Sequence, residues 1–142
     1  MKTNVLILGA SYGSLFATKL LLAGHRVLLV CTRPTAELIN REGTVVRFPI
    51  KGRESLLDLA SKRLPGSLSA ITPDEADPGQ FDLAVLGMQE PQYGSPGVRA
   101  LMGRVARAGV PCRDRSRHKP SAPQRAILSL REWPWLPWCA PE

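Results

Sequence analysis

The sequence has few cysteines and no long apolar run, and both scarcities restrict the class of protein. Cys31, Cys112 and Cys139 are odd in number and far apart, which argues against a disulfide framework and against metal-ligand spacing. No stretch approaches the roughly 18 apolar residues of a membrane span, and the opening residues show no signal-peptide pattern. We therefore expect a cytoplasmic protein with no metal and no membrane partner.

Acidic residues are also scarce, but the imbalance lies at one end of the chain. The 142 residues carry 19 Lys and Arg against 12 Asp and Glu, a formal net charge of +7. Residues 1–98 hold ten basic and nine acidic side chains, whereas residues 99–142 hold nine and three. The basic character therefore belongs to the C-terminal part. The chain as a whole is 44% apolar, a value typical of a globular domain.

The first 33 residues have the pattern strand, glycine turn, helix, strand. Residues 4–8 are an apolar run typical of a strand buried on both faces, and residues 9–14 are small or turn-forming. Residues 15–23 are helix formers ended by Gly24, and residues 27–31 are a second apolar strand. This order predicts a βαβ unit whose turn can hold a diphosphate.

The turn between the first strand and its helix is the candidate phosphate site. Unpaired N–H groups and the positive end of the helix dipole attract anions, which reach them only past small side chains. Gly9, Ser11 and Ser14 occupy the three small positions of the fingerprint G-x-G-x-x-G/A, and a serine hydroxyl could add a hydrogen bond. The alternative is that Gly9 and Gly13 only let helix and strand pack closely. The predicted cofactor-binding residues here are Gly9, Ser11, Tyr12, Gly13 and Ser14.

The end of the second strand bears on the choice of coenzyme. An NAD site usually has an acid there for the ribose 2′-hydroxyl, but this chain has Thr32 and Arg33 followed by Pro34. Arg33 could bind a 2′-phosphate in a fork and Thr32 could donate to it, which favours NADP over NAD. The alternative is a solvated Arg33 and a Thr32 that caps a helix with Pro34 in its first turn.

The remaining pattern predicts an α/β fold, a Rossmann-like parallel sheet with flanking helices, incomplete and followed by an irregular or disordered tail. Residues 55–62 are either weakly helical or a strand of a meander. The other predicted elements are a helix at 35–42, strands at 44–50 and 81–88, a helix at 98–108 and a strand beginning at 110–112.

The carboxyl end of the 81–88 strand should lie beside the glycine turn, because ligands bind at that edge of an open α/β sheet. Gly87, Met88 and Gln89 occupy this end, and Met88 and Gln89 are predicted to contact the cofactor. The alternatives are core packing for Met88 and a solvated loop for Gln89.

Three segments together resemble a known family. They read V-L-I-L-G-A-S-Y-G-S-L-F-A, then H-R-V-L-L-V-C-T-R, then F-D-L-A-V-L-G-M-Q. Over about residues 3–112 the chain resembles the N-terminal domain of 2-dehydropantoate 2-reductases (ketopantoate reductases). The resemblance implies NADPH-dependent reduction of a 2-oxo acid to a 2-hydroxy acid. It assigns the turn residues to the phosphates and Thr32 and Arg33 to the 2′-phosphate.

The chain also departs from this family. Gln89 stands where many members have a lysine, which leaves opine-type or uncharacterised reductases open as alternatives. The family's general-acid lysine and substrate-binding groups belong to a second, helical domain, and no Lys or Glu here matches those roles. The resemblance therefore implies a cofactor-binding portion that is inactive alone. A small-molecule 2-oxo acid would be the partner of the full-length relative, and a homodimer is left open.

The C-terminal sequence differs in composition from the sequence that precedes it. Residues 113–142 are rich in Arg, Pro, Ser and Trp where an apolar strand is expected. We hypothesise a frameshift near Cys112, which divides the chain into a dinucleotide-binding domain at 1–112 and a basic tail at 113–142. The alternatives are a disordered tail, or a native one that binds nucleic acid or an anionic membrane; we expect neither partner. A noncatalytic nucleotide-binding module and a basic, Trp-bearing interaction protein remain alternatives for the whole chain.

Overall fold

A computed structural model describes residues 2–49, 51–52 and 54–114. The predicted tail beyond Asp114, with its frameshift hypothesis and its three tryptophans, lies outside the described residues. The helices and strands, in chain order, are β1 (Asn4–Leu8), α1 (Ser11–Leu22), β2 (Arg26–Val30), α2 (Arg33–Glu42), β3 (Val45–Phe48), β4 (Leu57–Ala60), β5 (Ser67–Ile71), β6 (Leu83–Leu86), α3 (Pro96–Ala108) and β7 (Cys112–Asp114). Short 3-10 turns occupy Ser61–Arg63, Pro73–Glu75, Pro78–Gln80 and Glu90–Gly94.

Five strands form a parallel sheet in the order β5-β2-β1-β6-β7. From β1 the chain builds outward through β2 to β5, then crosses to the other side of β1 and adds β6 and β7. The strand order therefore reverses between β1 and β6, where Leu8 lies in register with both Val30 and Leu86. This is the predicted α/β, Rossmann-like fold, and the reversal marks the edge at which such sheets bind ligands.

The core has two layers, one on each face of the sheet. Val5 and Ile7 belong to the layer that includes Phe16 and Leu20 of α1. Leu6 and Leu8 belong to the other layer, which α3 covers. These four side chains are 0% exposed, and full burial of such a side chain stabilises the fold by about 1.5–3 kcal/mol. Burial on both faces explains why β1 is an unbroken apolar run rather than an alternating one.

Helix α2 lies against the outer edge of the sheet at β5. The Asn40 side chain donates from Nδ2 to the Ala70 carbonyl and accepts the Ala70 N–H at Oδ1, both at 2.8 Å. These two bonds are the pair that a further strand would make, so Asn40 takes the place of a strand at this point. The backbone groups of Ala70, paired in this way, are not available to another strand.

Several element boundaries differ from the sequence-based ones. Helix α1 begins at Ser11, so the predicted turn residues 11–14 form its first turn. The ambiguous segment 55–62 contains β4, which pairs antiparallel with β3, so the meander alternative holds. Strand β5 was not predicted at all. The last strand, β7, begins at Cys112 and continues to Asp114, in parallel with β6. Within the described part of the chain, no helix has the length and apolar character needed to cross a membrane.

Candidate functional site

A cavity of about 860 Å³ opens at the carboxyl ends of β1, β2 and β6. Its size is within the range of ordinary ligand pockets. Gly13 and Arg33, both predicted to bind the cofactor, do not form part of its wall. The other seven predicted residues do, and they are Gly9, Ser11, Tyr12, Ser14, Thr32, Met88 and Gln89.

Gly9 makes the sharp exit from β1 into α1. Its φ is +104°, a conformation that favours glycine, and its N–H donates to the Val30 carbonyl at 2.8 Å. A Cβ at Gly9 would lie 2.9 Å from the Gly87 carbonyl oxygen and 3.0 Å from the Met88 side chain. Both the backbone conformation and the contact with the end of β6 therefore require glycine here.

Gly87 completes this close approach from the side of β6. Its N–H donates to the Leu8 carbonyl at 2.8 Å. A Cβ at Gly87 would lie 3.1 Å from that carbonyl oxygen and 3.6 Å from the Gly13 nitrogen. The two glycines therefore let the ends of β1 and β6 and the first turn of α1 approach closely at the strand reversal, and we call this junction the cradle.

The first turn of α1 lies beside this cradle, and its first N–H groups are outside the helical hydrogen-bond ladder. The helical ladder begins where the Ser14 N–H donates to the Ala10 carbonyl at 3.0 Å. The N–H groups of Ser11, Tyr12 and Gly13 precede that bond and have no place in the ladder. Ser11 and Tyr12 are exposed and line the cavity, so this end of the helix is accessible to an anion.

Two turn residues have roles that differ from phosphate contact. Gly13 is buried, and a Cβ there would lie 2.8 Å from Cγ2 of Ile7, so the packing alternative applies to this glycine. The Ser14 hydroxyl donates to the Ala10 carbonyl, so within the structure its hydrogen is directed to the backbone rather than to the cavity.

At the end of β2, Thr32 is the N-cap of α2. It has extended backbone angles, its carbonyl accepts the Ala36 N–H at 2.9 Å, and its hydroxyl lies 3.0 Å from the Thr35 hydroxyl. Thr32 is therefore the N-cap by position, without a capping hydrogen bond from its side chain, and it also lines the cavity. Arg33 begins α2 just outside the wall, with its side chain 66% exposed and its Nη2 3.6 Å from Oε1 of Glu75.

Glu75 is a charged neighbour of Arg33 that sequence reasoning missed. The Thr72 backbone N–H donates to Oε2 of Glu75 at 3.2 Å. This hydrogen bond, with the positive charge of Arg33, lowers the pKa of the Glu75 carboxyl, so the group is ionised at neutral pH. Glu75 lies near Arg33 because β5 pairs with β2. Its place could therefore be found from the sequence only by recognising β5 as a strand.

At the end of β6, Met88 and Gln89 each line the cavity and hold the following turn. The Met88 N–H donates to the Tyr93 hydroxyl at 3.1 Å, and the Met88 side chain packs against the core layer of α3. The Gln89 N–H donates to Oε1 of Gln92 at 3.0 Å, and Gln89 is exposed. Met88 therefore both packs against the core and lines the cavity.

Apart from Gly87, which the sequence places beside the glycine turn, the rest of the cavity wall was not identified from the sequence. An apolar side extends toward α2 and β3, where Leu38 is 45% and Val45 is 63% exposed. Cys31 also lines the cavity, and burial raises the pKa of its thiol. Among the described residues, no Asp, Glu, Lys, Arg or His contributes to the wall. Its further members are Ala10, Val30, Thr35, Ile39, Gly43, Thr44, Val46, Pro73, Gly87, Gln92, Ser95 and Val98.

This set of groups fits a dinucleotide. Backbone N–H groups at a helix N-terminus suit a diphosphate, hydroxyls and amides suit ribose, and apolar walls suit flat rings. The cradle at Gly9 and Gly87 holds this helix end against the end of β6, at the edge of the cavity. The fold and this edge together define a Rossmann-like α/β domain with its candidate site at the strand reversal.

Comparisons with known proteins add a fold-level likeness. No protein-family model matches the sequence, and no curated protein does. A solved structure described as aspartate semialdehyde dehydrogenase II complexed with ASA, from Vibrio cholerae, resembles this chain at 17% sequence identity and a TM-score of 0.43. The likeness covers 83% of this chain and 32% of that one, so this chain spans about a third of the length of that protein.

Proposed function

We propose that this chain binds a nicotinamide dinucleotide, NADP(H), with its diphosphate at the first turn of α1. The observation that carries the proposal is the accessible N-terminus of α1 on a cavity of about 860 Å³, where Ser11 and Tyr12 are exposed and the first N–H groups lie outside the helical hydrogen-bond ladder. The cradle at Gly9 and Gly87 holds this helix end close to the end of β6. The resemblance to ketopantoate reductases supports the same ligand.

The reaction that goes with this binding would be the reduction of a 2-oxo acid to a 2-hydroxy acid. This chain's contribution is to hold and orient the coenzyme, which supplies the hydride when bound. A proton must also reach the substrate oxygen from a group within hydrogen-bond reach. The wall of the cavity contains no charged side chain among the described residues, which favours a second candidate, a noncatalytic nucleotide-binding module.

Binding is tested by titrating NADPH while following its fluorescence, with Ser11 as the site of change. Ser11→Glu places a carboxylate at the first position of α1, where it suits the helix dipole but repels phosphate. We expect a loss of NADPH affinity of more than tenfold without a loss of stability. Ser11→Gln is the matched control, of similar size but uncharged, and should lose much less. Equal losses in the two variants, or no binding by the unaltered protein, would contradict the proposal.

Turnover is tested by adding candidate 2-oxo acids to the protein and NADPH and following the absorbance of the reduced coenzyme. Consumption dependent on one 2-oxo acid supports the reductase. Binding without consumption supports the noncatalytic module.

The preference for NADP(H) rests on Arg33, whose guanidinium could bind a 2′-phosphate in a fork. Arg33→Glu is expected to lower the affinity for NADPH more than the affinity for NADH, since only NADPH has the phosphate. Equal losses for both coenzymes would contradict this assignment.

A further inference from the structure

We propose that Glu75, at the end of β5, is a specificity-determining residue that weakens the preference for NADP(H) which Arg33 would confer. The inference rests on the proposed function, since it concerns the adenosine end of the same site. In many NAD sites an acid after the second strand binds the ribose 2′-hydroxyl. Here that acid would come instead from the end of β5. The chain would then accept both coenzymes rather than NADP(H) alone.

The placement of Glu75 follows from how β2 and β5 end. The Cys31 N–H donates to the Ile71 carbonyl at 3.0 Å, which joins the two strand ends side by side. The chain then continues from β2 into Thr32 and from β5 into Pro73, and both of these line the cavity. Arg33 directly follows Thr32 and Glu75 lies two residues after Pro73, and their charged groups meet at 3.6 Å.

The Glu75 carboxylate has a backbone hydrogen bond within its own turn, whereas the Arg33 guanidinium meets it only at longer range. Oε2 of Glu75 accepts the Thr72 N–H at 3.2 Å, and the Glu75 N–H donates to the Thr72 carbonyl at 3.2 Å. Oε1 remains directed at Arg33, 3.6 Å from Nη2, which is longer than a hydrogen bond. A ligand that draws Arg33 away therefore leaves the hydrogen bond between Thr72 and the Glu75 carboxylate intact.

This arrangement determines how each coenzyme would bind. A 2′-phosphate that engages Arg33 comes close to an ionised carboxylate, and like charges at short range oppose binding. A 2′-hydroxyl has no charge and can donate a hydrogen bond to a carboxylate oxygen. The same carboxylate therefore disfavours NADP(H) and accepts NAD(H).

The test compares dissociation constants of NADPH and NADH for the full chain carrying Glu75→Gln. Glutamine keeps the acceptor for the Thr72 N–H, so the turn is retained while the charge is lost. We expect NADPH to bind roughly two- to fivefold more tightly, the size of an exposed charge interaction, and NADH to bind equally or more weakly. The matched control is Glu42→Gln, which removes an exposed carboxylate paired with Arg41 at the far end of α2.

The outcomes separate this inference from the proposed function. A selectivity ratio that is unchanged in Glu75→Gln, or that moves equally in Glu42→Gln, would overturn the role of Glu75 while leaving dinucleotide binding in place. If the unaltered protein binds neither coenzyme, the proposed function fails and this inference fails with it.

Discussion

At the scale of single residues, the small positions of the glycine turn divide between two tasks. Gly9 is required by its φ of +104° and by the nearness of Gly87, whereas Gly13 is required by packing against Ile7. The fingerprint in the sequence places both but does not distinguish them, because the distinction depends on which atoms face each glycine. The same limit applies to Glu75, whose neighbour Arg33 is 42 positions away and adjacent only through the sheet.

The packing role of Gly13 gives a prediction with an internal control. Gly13→Ala places a Cβ 2.8 Å from Ile7, whereas Gly103→Ala in α3 meets only the flexible end of Arg107, 3.8 Å away. Both changes gain about 0.5–1 kcal/mol of helix propensity. We expect Gly103→Ala to raise the free energy of unfolding by about that amount. Gly13→Ala should instead lower it by about 1–2 kcal/mol, because overpacking a core costs about 1–3 kcal/mol.

Denaturant titration of the two variants and the unaltered protein measures both changes. If the two alanines stabilise the protein equally, the close contact between α1 and β1 is not a constraint and the packing role of Gly13 is wrong.

His25 gives a prediction about pH. It is 7% exposed, and its Nδ1 accepts the Thr3 N–H at 3.2 Å, which requires an unprotonated Nδ1. Burial lowers its pKa in the folded state below the ordinary value of 6.5. A group with a lowered folded pKa stabilises the fold fully above its unfolded pKa and less as the pH falls below it. We expect the free energy of unfolding to decrease between pH 7.5 and pH 5.5, and to decrease less in His25→Gln.

The measurement is denaturant unfolding at the two pH values for both proteins. A His25→Gln variant with the same pH dependence as the unaltered protein would assign the change to other groups.

At the scale of elements, the edge of the sheet at β5 depends on one side chain. Asn40 pairs with both backbone groups of Ala70, which is 1% exposed. Asn40→Ala leaves a buried N–H and a buried C=O without these partners, and an unsatisfied buried group costs about 1–3 kcal/mol. We expect a loss of about 2 kcal/mol in the free energy of unfolding and faster hydrogen exchange at the Ala70 amide.

Glu37→Ala is the control for this prediction, since Glu37 is an exposed residue of the same helix. If both alanine variants lose equal stability, the effect belongs to α2 as a whole and not to the pairing with Ala70.

The elements that could be predicted from the sequence are those with a strong local signal. Strands β1, β2 and β6 are apolar runs because both faces are buried, and each was predicted. Strand β5 reads Ser-Leu-Ser-Ala-Ile, with small and polar residues that carry little strand signal on their own. It is a strand because β2 pairs with it on one side and Asn40 on the other, and neither partner is visible in a local pattern.

The β3–β4 pair is a second case in which the local sequence did not reveal the pairing partner of a strand. Residues 55–62 fitted either a weak helix or a strand, and the antiparallel register of Phe48 with Leu57 decides between them. Of the seven predicted residues that line the cavity, four came from the glycine-turn fingerprint, and Thr32, Met88 and Gln89 came from their position at strand ends. The apolar side of the cavity at Leu38 and Val45 was missed, since it depends on where this hairpin folds back.

At the scale of the whole molecule, the site is made by the meeting of two halves of the sheet. The half β1-β2-β5 brings the helix N-terminus, and the half β6-β7 brings Gly87, which closes the cradle from the other side. Among the described residues the wall has no charged side chain, so attraction for a diphosphate would come from backbone N–H groups and the dipole of α1. The affinity should therefore depend on the diphosphate more than on the base.

This dependence can be measured through the stability of the whole chain, because a ligand that binds only the folded state raises the free energy of unfolding. At a concentration of 100 times Kd the gain is about 2.7 kcal/mol, which corresponds to about 5–10 °C in the melting midpoint. We expect NADPH and ADP to raise the midpoint and adenosine to raise it little, since adenosine has no phosphate to meet the helix N-terminus. Ser11→Glu should remove the effect of ADP. Equal protection by adenosine and ADP would mean that the base, and not the diphosphate, anchors the ligand, and the cradle at Gly9 and Gly87 would then have no part in binding.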